Sequence, residues 1–188
     1  MKNTYLIFLS LLFFSCGVFK NNPENHVKIN NANVNNLNGT YSIFAFDKLK
    51  TEYPYFDNAN NKFYRKYGRG QSDTISFDTI SGGKFKIKII DDRKLQIDFI
   101  KKNNIVKSQT IRYKFKNDGF LYVKNRNTII RGIPYVFGGV DVKKVRIALN
   151  QNNDLILNDI FDNSGALLLI FGDAKVWEET NIYLRINE

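Results

Sequence analysis

Reactive side chains are scarce in this chain of 188 residues, which has one cysteine, Cys16, and one histidine, His26. A Ser or Cys nucleophile needs a base beside it, and a zinc site needs several imidazole or thiolate ligands. One residue of each type, both in the N-terminal part, supplies neither. Carboxylates are more plentiful. Asp91 with Asp92 and Glu178 with Glu179 are adjacent pairs, and glycoside hydrolysis needs only two acids a fixed distance apart. Both pairs fall where the sequence reads as a turn or loop, so solvated turn chemistry accounts for them. Asp154, Asp159 and Asp162 are closely spaced but lack the alternating ligands, glycine and distal glutamate of a calcium loop. No glycine-rich loop follows a strand and opens a helix, as phosphate cradles require. The expectation is a protein without catalysis, metal or cofactor.

Lys and Arg number 28 against 18 Asp and Glu, a formal charge of +10. That balance admits an anionic partner: nucleic acid, a lipid or lipopolysaccharide surface, or an acidic polymer. It equally admits lysines that merely solvate strands in a chain rich in Asn, Lys and Ile. Nucleic acid drops out once the first residues are read. Lys2 precedes an apolar run over 5–14, then small Ser15 and Cys16. This is the layout of an export signal, and the run is too short to span a bilayer, which takes about 20 apolar residues in a helix.

Leu12, Phe13, Phe14, Ser15 and Cys16 together resemble the lipobox of bacterial lipoproteins, with Phe13 where leucine is commoner. The resemblance implies that residues 1–15 are a signal peptide and that Cys16 is lipidated and begins the mature chain. Two or more acyl chains hold a protein firmly to a membrane, where one is marginal. An ordinary signal peptide cut nearby, with Cys16 incidental, is the alternative. Gly17, where an aspartate would otherwise stand, resembles lipoproteins sent to the outer membrane. The expected location is therefore the cell envelope, anchored to the outer rather than the inner membrane. Residues 16–37, rich in Asn and without apolar period, read as a lipidated flexible tether in which His26 is solvated.

The folded domain is expected over 38–188, organised around 84–124. Phe85, Ile87 and Ile89 alternate with Lys84, Lys86 and Lys88. Leu95, Ile97 and Phe99 alternate with Lys94, Gln96 and Asp98, and Ile111, Tyr113 and Phe115 with Arg112, Lys114 and Lys116. A period of two is that of a strand buried on one face, and the short breaks at 91–93, 102–104 and 117–119 force each strand back beside its predecessor. Further strands are expected over 42–46, 74–80, 120–124, 140–149 and 155–161. Gly132 and Pro134 place the extended segment 128–137 at an edge or a bend. The apolar run 165–171 reads as a strand covered on both faces, and 180–186 as a last strand presenting Ile182, Leu184 and Ile186 on one face. Roughly nine or ten strands make an all-β protein, an antiparallel meander closing into a barrel or sandwich.

Leu37, Asn38, Gly39, Thr40 and Tyr41 resemble the opening of lipocalin-like domains, where a Gly-x-aromatic element starts the first strand. The resemblance implies a β-barrel whose closed end Tyr41 plugs and whose open end is covered by the connection after the first strand. Here that connection, 47–71, carries Tyr53, Tyr55, Phe56, Phe63, Tyr64 and Tyr67, with a short helix expected over 60–67. These rings serve either as a lid or as a satellite hydrophobic cluster. No tryptophan stands at the first strand and no helix follows the last, so a half-open barrel or a β-sandwich stays open.

Two functions follow. In one, the barrel binds a small apolar or amphipathic ligand against Tyr41, Phe77, Phe85, Phe99, Tyr113 and Phe115, all of which would also serve as plain core. In the other the core is filled. The basic outer wall of Lys84, Lys86, Lys88, Lys94, Arg112, Lys114 and Lys116 then contacts anionic lipid or an anionic envelope polysaccharide.

Overall fold

The computed structural model describes residues 18–23, 25–46, 58–64, 75, 77, 82–124, 128–133, 137–167 and 171–187. Eleven strands lie among them: β1 (His26–Val27), β2 (Gly39–Ser42), β3 (Lys84–Ile89), β4 (Lys94–Lys101), β5 (Asn104–Phe115), β6 (Leu121–Lys124), β7 (Thr128–Ile133), β8 (Phe137–Asn150), β9 (Leu155–Leu167), β10 (Phe171–Tyr183) and β11 (Arg185–Ile186). The other elements are a 3-10 turn at Val34–Leu37 and a helix at Ala59–Tyr64. The fold is all-β.

Every ladder is antiparallel, and the strands follow the order β10-β9-β8-β6-β5-β4-β3-β2-β11, with β1 and β7 added on β8. The central meander pairs as its alternation dictates: Phe85 opposite Phe99, Ile87 opposite Ile97, Leu95 opposite Ile111. Between β4 and β5 the turn residues Lys102 and Asn103 both have positive φ, 49° and 64°, the geometry of a tight two-residue hairpin. Segment β7, with Gly132 near its end, pairs only β8 among the described residues, the edge position expected of it.

Phe85 is the hub of the core. Its ring lies 5.5 Å from Tyr41, 5.6 Å from Tyr183, and 6.1 Å from each of Phe63 and Phe99, and all five side chains are buried. Edge-on and offset pairs of this kind add about 0.5–1.5 kcal/mol each beyond the area they remove from water. Gly83 permits this density near β3, because a Cβ there would stand 2.6 Å from the Phe77 ring. Two elements stopper the interior. At the Ile89 end of β3 the 3-10 turn buries Val34 and Leu37, and Tyr41 Oη donates to the Leu37 oxygen at 2.9 Å. At the other end the helix seats Phe63 on Phe85.

The ladder path has two ends, β10 and β11, joined by the chain through Leu184 and not by a ladder. The sheet is thus antiparallel and unclosed among the described residues.

Five expectations are corrected. Residues 18–23 and 25–37 do not hang free: Ile29, Val34 and Leu37 are buried, the Ile29 amide donates to the Gly119 oxygen at 2.8 Å, and β1 pairs β8. Their apolar residues follow no period because each fills a separate gap. His26 is not solvated. It stacks on Phe120 at 4.4 Å, with Nδ1 2.9 Å from the Pro23 oxygen and Nε2 3.1 Å from the Asp118 main-chain oxygen. The run 165–171 is divided between the end of β9 and the start of β10. Finally, Glu178 and Glu179 stand within β10, not in a loop. The register Leu155 to Tyr183 and Leu157 to Asn181 turns Tyr183 and Asn181 inward, while Leu184 and Ile186 are exposed.

Candidate ligand-binding pocket

Along β8, β9 and β10 the inward positions change character halfway. Leu149, Ile147 and Val145 on β8, Leu155 and Leu157 on β9, and Tyr183 on β10 are buried and apolar. The next inward positions, by the same period of two, are Lys143, Asp159, Asn181 and Glu179. The interior is therefore greasy at one end and polar at the other.

The helix Ala59–Tyr64 is what closes over the polar end. Asn58 starts it, accepting from the Asn61 amide at 2.9 Å, the usual way a side-chain oxygen satisfies a first-turn N–H. Three strands then hold it. Lys62 Nζ meets Glu179 of β10 at 2.5 Å, Lys143 of β8 donates to the Asn61 oxygen at 3.2 Å, and Lys107 of β5 donates to Asn60 Oδ1 at 3.3 Å. Lys143 also faces Asp159 at 3.7 Å, both side chains being almost wholly withdrawn from water. Each carboxylate thus has its own lysine, as buried charges require, and the cluster is close to neutral.

Asn181 is the exception to this pairing. It is 0% exposed, and among the described residues neither its Oδ1 nor its Nδ2 has a hydrogen-bond partner. An unpaired buried polar group costs about 1–3 kcal/mol, and here a donor and an acceptor are orphaned together. One inward position further along β10, Glu179 lines a pocket of about 310 Å³ together with Asp159, Phe161 and Trp177. Phe161 and Trp177 are cross-strand neighbours whose rings stack at 5.6 Å and 20°, and Trp177 is 54% exposed. Such a mouth offers a flat apolar wall beside two lysine-paired acids. It can hold a flat or amphipathic molecule and read its polar groups by hydrogen bonds.

The residues singled out from sequence fall elsewhere. Tyr41, Phe77, Phe85, Phe99 and Tyr113 are buried core, and Phe115 is half-buried against Tyr113 at 5.5 Å. Of the lid aromatics, Phe63 is core, only the backbone of Tyr64 is described, and Tyr53, Tyr55, Phe56 and Tyr67 lie outside the described residues, as does Cys16. The basic residues do share one outer face. Lys94 stands opposite Arg112 and Arg112 opposite Lys124, with Lys86, Lys88, Lys114 and Lys116 exposed nearby and Lys84 half-buried.

A second polar centre lies outside the sheet. Arg146 of β8 is 1% exposed although it points outward. Its guanidinium lies 4.2 Å from the ring centroids of both Phe19 and Phe120. It donates to Asn158 Oδ1 at 2.6 Å, to Asp118 Oδ2 at 2.8 Å and to the main-chain oxygen of Asn21. Burial by itself would raise the Asp118 carboxyl. Hydrogen bonds from Tyr122, the Phe120 amide and Arg146 outweigh it and hold the group below the usual carboxylate range. Burial, and then the Asp118 hydrogen bond, push the Tyr122 phenol up to about 12. Glu178 completes the grip, accepting from the amides of Lys20 at 2.9 Å and Asn21 at 3.2 Å.

Sequence reading passed over Lys143, Asn181 and Arg146, and set aside Asp159, weighed as a calcium ligand, and Glu179, weighed as one of a paired set of acids. Parity was the available signal: Asp159 continues Leu155 and Leu157, and Lys143 continues Val145, Ile147 and Leu149. No family model matches the chain, and no curated protein or solved structure matches it.

Proposed function

We propose that this chain is a non-catalytic lipoprotein of the cell envelope, anchored through Cys16, whose β-domain is a lipocalin-like barrel that binds a small amphipathic ligand. Residues 1–16 support the anchor. The barrel reading draws on β10 running through Leu184 into β11, which pairs β2 at the far end of the sheet. A binding role, in preference to a chemical one, is favoured because each acid of the pocket is matched to a lysine and the one histidine is engaged on the outer surface.

One observation carries the ligand. Asn181 keeps an amide donor and acceptor, fully buried and unpaired among the described residues, one inward position along β10 from Glu179, which lines a pocket walled by Trp177 and Phe161. The occupant has a flat apolar part against the rings and a hydroxyl, amide or amine that completes Asn181. The aromatics of the lower core contact one another and leave the polar end as the place to bind.

Trp177 is the sole tryptophan, so its emission reports this pocket directly. Titrating the purified chain with N-phenyl-1-naphthylamine should shift that emission to the blue, and native mass spectrometry of chain extracted in mild detergent should show a co-purified small molecule. Unchanged emission together with a bare mass would refute the reading.

A further inference from the structure

The outer face of β3–β6 carries Lys86, Lys88, Lys94, Arg112, Lys114 and Lys124, all exposed. The ladders set Lys94 opposite Arg112 and Arg112 opposite Lys124, and Lys88 lies opposite Gln96. Among the described outward positions of these strands one acid appears, Asp98, and it is buried while accepting from Gln96 at 2.8 Å and Ser108 at 2.5 Å. The turn acids Asp91 and Asp92 are met by Lys94 at 3.8 Å and Arg93 at 3.7 Å. With strands about 4.8 Å apart, the four make a broad strip on the order of 15 Å wide. At its turn end Lys94, Arg112 and Lys124 line, with Asp91, Asp92, Arg93 and Tyr113, a pocket of about 530 Å³, and the rest of the strip is an open face able to lie on a surface.

A second observation concerns the N-terminal segment, which is clamped at the border of this strip. Phe19 packs edge-on against Tyr122 at 5.7 Å, and Lys116 Nζ lies 4.1 Å from the centroid of the same ring. Tyr122 itself is the ladder partner of Lys114. Burial, then the charges of Lys114, Lys144 and Arg146, push the Lys116 ammonium below its ordinary value against the pull of Asp118, so this corner is crowded with positive charge. From Phe19 back to Cys16 is three residues, at most about 11 Å of chain.

We propose that this strip is a docking face for anionic phospholipid headgroups, and that the Arg146–Glu178 clamp on residues 19–22 keeps the chain's anchor beside it, so that the domain lies flat on an anionic bilayer. The idea deepens the envelope reading above and shares its anchor, but the face acts by charge alone. A cation of the strip brought within the Debye length of about 8 Å at physiological salt of an anionic surface interacts with it, and one held farther away is screened. Each basic residue near such a surface is worth roughly fivefold in partitioning.

The test reconstitutes the full chain, as isolated from membranes, with vesicles of neutral phosphatidylcholine alone or with phosphatidylglycerol added, and follows acylation of each lysine by an amine-reactive reagent. Lys86, Lys88, Lys94, Lys114 and Lys124 should react severalfold more slowly on the anionic vesicles, and added salt should restore their rates, while Lys175, exposed on β10, keeps its rate. The triple variant K86Q/K88Q/K114Q should lose most of the protection at Lys94 and Lys124. Equal rates on the two vesicles would overturn the proposal. So would protection of the same lysines by a soluble anionic polysaccharide with neutral vesicles, which would assign the face to an envelope polymer. Intact mass reads the acyl chains separately: an unlipidated chain that still shows the headgroup-dependent protection removes the anchor and leaves the face.

Discussion

Asn181 lies directly across the β9–β10 ladder from Leu157, both 0% exposed, yet only Leu157 suits its surroundings. A carboxamide with two orphaned atoms in that position lowers stability, and a protein keeps such a residue where something else completes it. Asn181→Leu, which keeps the branching at Cγ and removes both orphaned polar atoms, should therefore stabilise the empty protein by about 1–3 kcal/mol. The same change should abolish the Trp177 response to an amphipathic probe. Urea unfolding and fluorescence titration of one sample decide it. A variant that is destabilised, or that still binds, would show Asn181 to be structural.

Arg146→Met makes the opposite case. The guanidinium pairs with Asp118 and lies 3.8 Å from Glu178, inside a shell of Phe19 and Phe120. Removing one partner of a buried pair costs about 3–5 kcal/mol, because the remaining charges stay desolvated. Loss of global stability on that scale is expected. Faster hydrogen exchange at the amides of Lys20 and Asn21 should go with it, since their acceptor Glu178 is no longer held.

How far the sequence foretold this arrangement depends on how each part is held. The pairs Phe85 with Phe99 and Leu95 with Ile111 were legible because one buried face and short turns leave a single register. Lys143, Asp159 and Asn181 were not, since an alternation read from apolar residues stops where the inward face turns polar. The segment 18–37 was hidden for another reason: Phe19, Ile29 and Leu37 each fill an unrelated gap, and irregular chain leaves no period to find.

Acid should loosen the N-terminal clamp. The Asp118 carboxyl is held below its ordinary value in the fold, so the unfolded chain takes up its proton at higher pH than the native one. Its contribution is complete above the ordinary carboxylate value of about 4 and disappears as pH falls through the native value. Asp118→Asn should flatten that part of a stability profile measured by urea midpoint against pH.

Alkali acts on the same pair from the other side. The Tyr122 phenol is raised to about 12, and the stabilisation linked to its retained proton is present below the ordinary value of about 10 and lost as pH climbs from there through 12. Tyr122→Phe should remove that alkaline slope, and ultraviolet phenolate absorbance should lose one late-titrating group.

Phe85 and Phe115 occupy the same face of one meander and should respond very differently to truncation. Phe85 is 0% exposed and touches Tyr41, Phe63, Phe99 and Tyr183, rings supplied by β2, the helix, β4 and β10. Replacing it with alanine opens a cavity that four separate elements would have to move to fill, and they are themselves tied by ladders and ion pairs. A loss of about 3–5 kcal/mol follows. Phe115 is only partly buried, at the end of β5, with Tyr113 as its ring neighbour. Solvent and the strand end can relax into the space it leaves, so Phe115→Ala should cost well under half as much. Equal losses in thermal or chemical unfolding would mean that the hub of this domain lies elsewhere than at Phe85.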